Sequence, residues 1–176
     1  MQNLYPYLIA SLPMLHGGMK PPFSSEIFLE KCREFIPEKD FKSLCQLPKT
    51  EEVVLGEIHH PLIKEWMRFD THLRNELVKI RASHKHIDPA KYLRPDGYAG
   101  PGITHLALEA YRNTSLIEAE RFLDQQRWKV LEEHQTGHYF DLEFLIVYAY
   151  KLRLLERWER IRLADEEALL EKELSF

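Results

Sequence analysis

The chain has 176 residues, of which 44% are hydrophobic and 30% charged, and its net charge at pH 7 is -4. That profile excludes bulk disorder, and the lack of a basic excess argues against a dedicated nucleic-acid binder. No run approaches the ~18–20 apolar residues of a membrane span, so a cytoplasmic protein is expected.

The apolar start "YLIASLPML" has no basic residue before it, Lys20 being the first, and Pro6 and Pro13 bracket it. It is therefore read as part of the fold, strand or helix, and not as an export leader. "HGGMKPPFSS" is a loop by its glycines and prolines. Ser24 or Ser25 caps a helix with Ile27, Phe28, Cys32, Phe35 and Ile36 at its apolar positions. Pro37 opens another short helix, with Glu38 and Asp40 at its positive end and Phe41, Leu44 and Cys45 facing inward. Cys32 and Cys45 lack CxxC spacing and are read as two small buried thiols.

"QLPKTEEVVLGEIHH" connects to a long helix opened by Pro61. There Leu62, Trp66, Phe69, Leu73, Leu77 and Ile80 recur every three or four residues. "HKHIDPAKYLRPDGYAGPG" is irregular, and long irregular connections are often functional. Helix resumes near Thr104 and breaks at "RNTS". The next helix is capped by Thr114 or Ser115, with Glu118 at capping-box spacing and Leu116, Ile117, Phe122, Leu123, Trp128 and Leu131 as apolar positions. Gly137 stops it, and Asp141 caps the last helix.

That last helix carries most of the functional signal. Phe144–Tyr150 holds no polar side chain other than tyrosine hydroxyls and is expected at the centre of the core. From Lys151 the pattern turns amphipathic. Leu152, Leu155 and Trp158 form one stripe, and Arg153, Arg157 and Arg160 follow another row, with Glu156 placed to pair with Arg160. Beyond Leu163 the charge becomes acidic, interrupted by Leu169 and Leu170. Acidic residues near a helix C-terminus oppose the macrodipole by a few tenths of a kcal/mol each. Stability alone does not favour them, which leaves a docking role or a solvated tail.

Chemical motifs are scarce. The sequence contains no HExxH, zinc-finger spacing, GxSxG or phosphate loop. Nine histidines offer three groups: Glu57 with His59 and His60, His84 and His86 with Asp88, and His134 with His138. His84 and His86 share a metal only on extended backbone, because residues two apart on a helix diverge. Gly137 interrupts the helical spacing of His134 and His138. Ordinary surface histidines are the simpler reading of each group.

"YPYLIASLP", "KPPFSSEIFLEKCREFI" and above all "HYFDLEFLIVYAYKLRLLERWERI" resemble a bacterial family encoded among V-type ATPase subunits. The closing motif is also similar to a segment of the central-stalk adaptor of V/A-type ATPases. That adaptor is all-helical and sits between the rotor ring and the central shaft. The matching motif residues here are Tyr148, Tyr150, Lys151, Leu152, Glu156, Arg157 and Trp158. The stalk adaptor is much longer, so a dimer or a smaller stalk contact is needed to match its role.

The expectations are these. The fold is all-α, a multi-helix bundle over residues 1–176 as a single domain, with the helix after Pro61 and the closing helix as an antiparallel spine. The resemblance implies a non-catalytic accessory or central-stalk-type subunit of a V/A-type rotary ATPase, touching the stalk or rotor ring and peripheral to the inner membrane only through that complex. Its partner-binding residues are Tyr148, Lys151, Arg153, Arg157, Trp158 and Arg160. No cofactor, metal or nucleic acid is called for. The alternatives are a metal-dependent helical enzyme using His84 and His86, and a stand-alone scaffold binding a partner helix.

Overall fold

The computed structural model describes residues 3–47, 58–95 and 101–174, with side chains placed through Ala164 except at Pro101. Among the described residues 73% are helical. Among the described residues there are seven α-helices and no strand: α1 (Pro6–Ser11), α2 (Ser25–Phe35), α3 (Glu38–Cys45), α4 (Pro61–Lys85), α5 (Pro101–Arg112), α6 (Leu116–Gln135) and α7 (Leu142–Leu174). The all-α bundle expected from the sequence is what forms. No helix among the described residues is long and apolar enough to cross a membrane.

The chain divides into two compact units, 1–47 with 131–176, and 48–130. The two longest helices fall in different units, α7 in the first and α4 in the second.

In the first unit, α1 settles the strand-or-helix question of the N-terminal segment. Pro6 occupies its first turn, where a missing N–H costs nothing, and Leu8 and Ile9 are buried. The Tyr5 N–H donates to the Phe140 carbonyl at 2.5 Å, and the Tyr5 hydroxyl donates to Asp40 of α3. Burial, then Asp40, raises the Tyr5 pKa. Ser24 caps α2, its Oγ accepting the Ile27 N–H at 3.2 Å. Phe28 and Cys32 are buried, whereas Ile27 and Phe35 are exposed. On α3 Leu44 is buried, but Cys45, expected inside, is exposed. With only two turns and Leu44 already committed to the core, α3 buries a narrow stripe that leaves its final residue outside.

In the second unit, α4 presents Leu73 and Leu77 to Ala107 and Ala110 of α5 and to Leu123 of α6, with Phe69, Ile80, Ile103, Leu106 and Phe122 packed around them. Small alanines on α5 let the helices approach closely. Polar ties reinforce this layer. Thr104 Oγ1 donates to Glu76 Oε2 at 3.1 Å, and Lys79 Nζ lies 2.6 Å from Glu76 Oε1. Asn75 and Arg94 exchange two hydrogen bonds of 3.0 Å, fixing the irregular chain after α4 to the helix. Part of that chain winds into a 3₁₀ turn, Pro89–Lys91, capped by Asp88. Ser115 caps α6, its Oγ accepting from Glu118 N at 3.5 Å. Leu116 and Ile117 of α6, read as apolar-face positions, are exposed, since the first turn of a helix has fewer neighbours to cover it.

Candidate functional site

α7 starts where the sequence places it. Gly137 has φ +88°, a left-handed conformation that a side chain would strain. Asp141 then caps the helix, its Oδ1 accepting the Phe144 N–H at 3.1 Å. Every residue from Leu145 to Leu152 is buried, so this stretch has no solvated face. Leu155 is the last buried residue of α7 among those with described side chains. Beyond it exposure alternates between partial and full as far as Ala164.

The six sequence-derived site residues divide at Leu152, the end of the continuously buried stretch. Tyr148 is 5% exposed. Its ring lies 5.1 Å from that of Phe28, with Phe23 and Phe144 each at 6.4 Å. Its hydroxyl donates to the Pro13 carbonyl at 3.0 Å. Burial, then the charge of Cys32, pushes its pKa up to about 12. Lys151 is 7% exposed. Its ammonium donates to Gln135 Oε1 at 2.8 Å and lies 3.8 Å from Glu132, both in the last turns of α6. Burial lowers its pKa, and Glu132 offsets part of that. Both side chains hold the first unit together and offer no side-chain surface to a partner.

Arg153, Arg157 and Trp158 are half-buried, and Arg160 is exposed. At 3.6 residues per turn the three arginines fall within a band of roughly 60°. Burial lowers the Arg153 pKa, opposed by Tyr150 and Glu156. Leu163, outside the sequence-derived set, is exposed beside the arginine row, and Arg162 is exposed on the opposite side of the helix.

Two glutamates order this surface. Glu156, expected to pair with Arg160, instead accepts the backbone N–H of Ser25 at 2.6 Å and so caps α2. Glu159 receives a two-pronged contact from Arg162, Nε at 2.9 Å and Nη2 at 2.8 Å, with Lys20 3.6 Å away. The Arg162 hydrogen bond holds the Glu159 carboxyl below its usual range. Bidentate pairing fixes both planes, so this part of α7 is a shaped surface. The acidic stretch with Leu169 and Leu170 lies outside the described side chains.

The histidine groups resolve differently. His84 sits in the last turn of α4 with its ring 4.7 Å from that of Tyr111. His86 is the C-cap, with φ 53° and ψ 40°. The backbone there is helical and then left-handed, so the extended geometry needed for a shared ion is absent. Neither belongs to a cluster of three potential ligands among the described residues. Glu57 lies outside the described residues. A cleft of about 250 Å³ in the second unit is lined by Leu77, Leu116 and Leu123 together with Arg81, Tyr111 and Asn113. Its wall is mainly aliphatic and brings no acid–base pair together.

Comparison with known proteins places the boundary of what is recognisable. Residues 102–169 match a family described only as "Protein of unknown function (DUF2764)". The matched segment runs from α5 into α7 and contains Tyr148 through Arg160. No curated protein and no solved structure matches the chain.

Proposed function

We propose that this chain is a non-catalytic accessory or central-stalk-type subunit of a bacterial V/A-type rotary ATPase, supporting the coupling of ATP turnover to ion transport through protein–protein contacts. The resemblance of the closing motif to the central-stalk adaptor motivates the reading. The observation that carries it is the change along α7 after Leu152. Leu145 to Leu152 are all buried; beyond them Leu155 is the one buried side chain among those described, Arg153, Arg157 and Trp158 are half-buried, and Arg160 and Leu163 are exposed. Arginine and tryptophan are enriched at interface hot spots, and here the indole and the arginine row occupy adjoining sides of the helix, about 100° apart between Trp158 and Arg157. The partner surface is acidic with an apolar recess for the indole, and it belongs to the stalk or rotor ring. Contact with the inner membrane is indirect, through the complex.

Affinity purification from detergent-solubilised membranes at native expression tests this. The wild-type chain is expected to bring down ATPase stalk and catalytic subunits. R157E/R160E is expected to reduce that recovery at least about tenfold, as one hot-spot energy of ~2 kcal/mol requires, with an unchanged circular dichroism spectrum. Recovery of intact, active ATPase devoid of this chain, or unchanged capture by the double variant, defeats the reading.

A further inference from the structure

Between α6 and α7 the chain gathers three ligand-type side chains that the contact surface of α7 does not use. His138 Nδ1 is 2.6 Å from Asp141 Oδ2 and 4.0 Å from Glu143 Oε2. The ligand atoms of the three residues all lie within 4.8 Å of one another. Two carboxylates from the first turn of one helix thus converge on a single imidazole nitrogen from the turn before it.

The backbone presenting them is held from several directions. Gly137 takes a left-handed φ of +88°. His138 N–H donates to the Gln135 carbonyl at 3.0 Å, and the Phe140 carbonyl accepts from Tyr5. Asp141 is fixed by capping α7 through Oδ1, which leaves Oδ2 turned to the histidine. The side chains of Asp141, Glu143 and His138 are 8%, 22% and 34% exposed, so the cluster is rooted in the fold and open on the histidine side.

We infer that His138, Asp141 and Glu143 form a binding site for a divalent transition-metal ion of the zinc or manganese class. Such an ion sits about 2.0–2.2 Å from nitrogen and oxygen donors, which places neighbouring donors about 3.0–3.6 Å apart. The observed 2.6 and 4.0 Å straddle that range, so a side-chain shift of about half an ångström completes the geometry. One imidazole with two carboxylates suits zinc or manganese better than calcium or magnesium, which prefer oxygen alone. The two carboxylates neutralise the dication. The positive end of the α7 dipole opposes it, at a cost of about fivefold to thirtyfold in affinity. Three protein ligands leave a coordination position for water or an incoming group.

Calorimetric titration of the untagged, chelator-treated full chain decides the matter. Zn²⁺ is expected to bind at one saturable site, with Mn²⁺ weaker and Mg²⁺ without detectable heat. Loss of an outer-shell partner alone lowers metal affinity about 10–100-fold, so loss of the ligand in H138A is expected to lower it at least about 100-fold. Glu143→Gln leaves the Asp141 cap and the His138–Asp141 contact in place. It is expected to weaken Zn²⁺ at least about tenfold while the metal-free melting temperature falls by no more than a few degrees, the loss of one first-turn carboxylate. Absence of Zn²⁺ binding, or Zn²⁺ binding equally tight in wild type, H138A and E143Q, overturns the site; the second result assigns the metal to other histidines.

Discussion

Glu156 of α7 caps a helix that lies 131 residues earlier in the chain: its carboxylate accepts the Ser25 backbone N–H at 2.6 Å. The N–H groups at the start of a helix carry partial positive charge, so a full negative charge there is stabilised, and its hydrogen bond is charge-assisted. Glu156→Ala is expected to destabilise the first unit by about 1.5–3 kcal/mol, the range for hydrogen bonds to charged groups. Glu156→Gln keeps an acceptor without the charge and is expected to lose about half of that. Urea denaturation with an unchanged slope is the measurement. A shift for Glu156→Ala inside the ~0.5 kcal/mol scatter of ordinary surface changes would mean the cap contributes nothing.

In the second unit Arg127 bridges two helices. Its Nε reaches Asp70 Oδ1 at 2.8 Å and its Nη1 reaches Asp124 Oδ1 at 2.7 Å, while Arg74 Nε binds the other Asp70 oxygen at 2.8 Å. Burial lowers the Arg127 pKa, but Asp70 and Asp124 more than offset that and raise it. Removing the guanidinium takes the shared cation from the buried Asp124 and from Asp70, leaving Arg74 to hold Asp70 alone of the two arginines. Arg127→Met is expected to cost about 3–5 kcal/mol, as for other broken buried pairs. The triple variant R127M/D70N/D124N is expected to recover most of that, because replacing a buried ionic network is gentler than breaking it. Equal loss in both variants, measured by chemical denaturation, would locate the effect in packing rather than charge.

Tyr148 predicts an alkaline limb. Its folded pKa of about 12 exceeds the ordinary value of about 10. The folded state therefore holds the phenolic proton more tightly. The stability this confers is complete below about pH 10 and disappears as pH climbs toward 12. Two units correspond to at most about 2.7 kcal/mol. Tyr148→Phe keeps the ring contacts, loses the bond to Pro13, and is expected to cost about 1 kcal/mol at neutral pH. Between pH 10 and 12 its stability is expected to fall less steeply than that of the wild type. Parallel declines in the two proteins, followed by urea titration at each pH, would rule out this phenol as the source.

What was legible in the sequence was local. Spacing exposed α4, because six apolar residues repeat along about five turns. Gly137 and Asp141 marked the ends of α6 and α7, because positive φ and side-chain capping each demand particular residue types. The segment from Tyr5 was ambiguous, since a six-residue helix has too few turns to display a period. The assignments that needed a distant partner were hidden. Lys151 reads as a surface cation until Gln135, on another helix, is placed beside it. Glu156 reads as an i, i+4 partner of Arg160 until Ser25 is brought to it. His138, Asp141 and Glu143 were individually visible, and the x-x-D-x-E spacing after the histidine was an available signal. What the spacing does not reveal is that a turn brings the ligand atoms of all three within 4.8 Å of one another.

α7 runs from Leu142 to Leu174 without a glycine or proline. Between Leu142 and Ala164 it spans roughly 34 Å at 1.5 Å per residue. The same uninterrupted rod is thus clamped by packing at one end and exposed at the other, with no glycine or proline in between. If the proposed partner grips Arg160, a sideways load there reaches Leu152 as strain in tightly packed side chains, and a glycine near Leu155, which weakens helix locally, is expected to loosen that transmission.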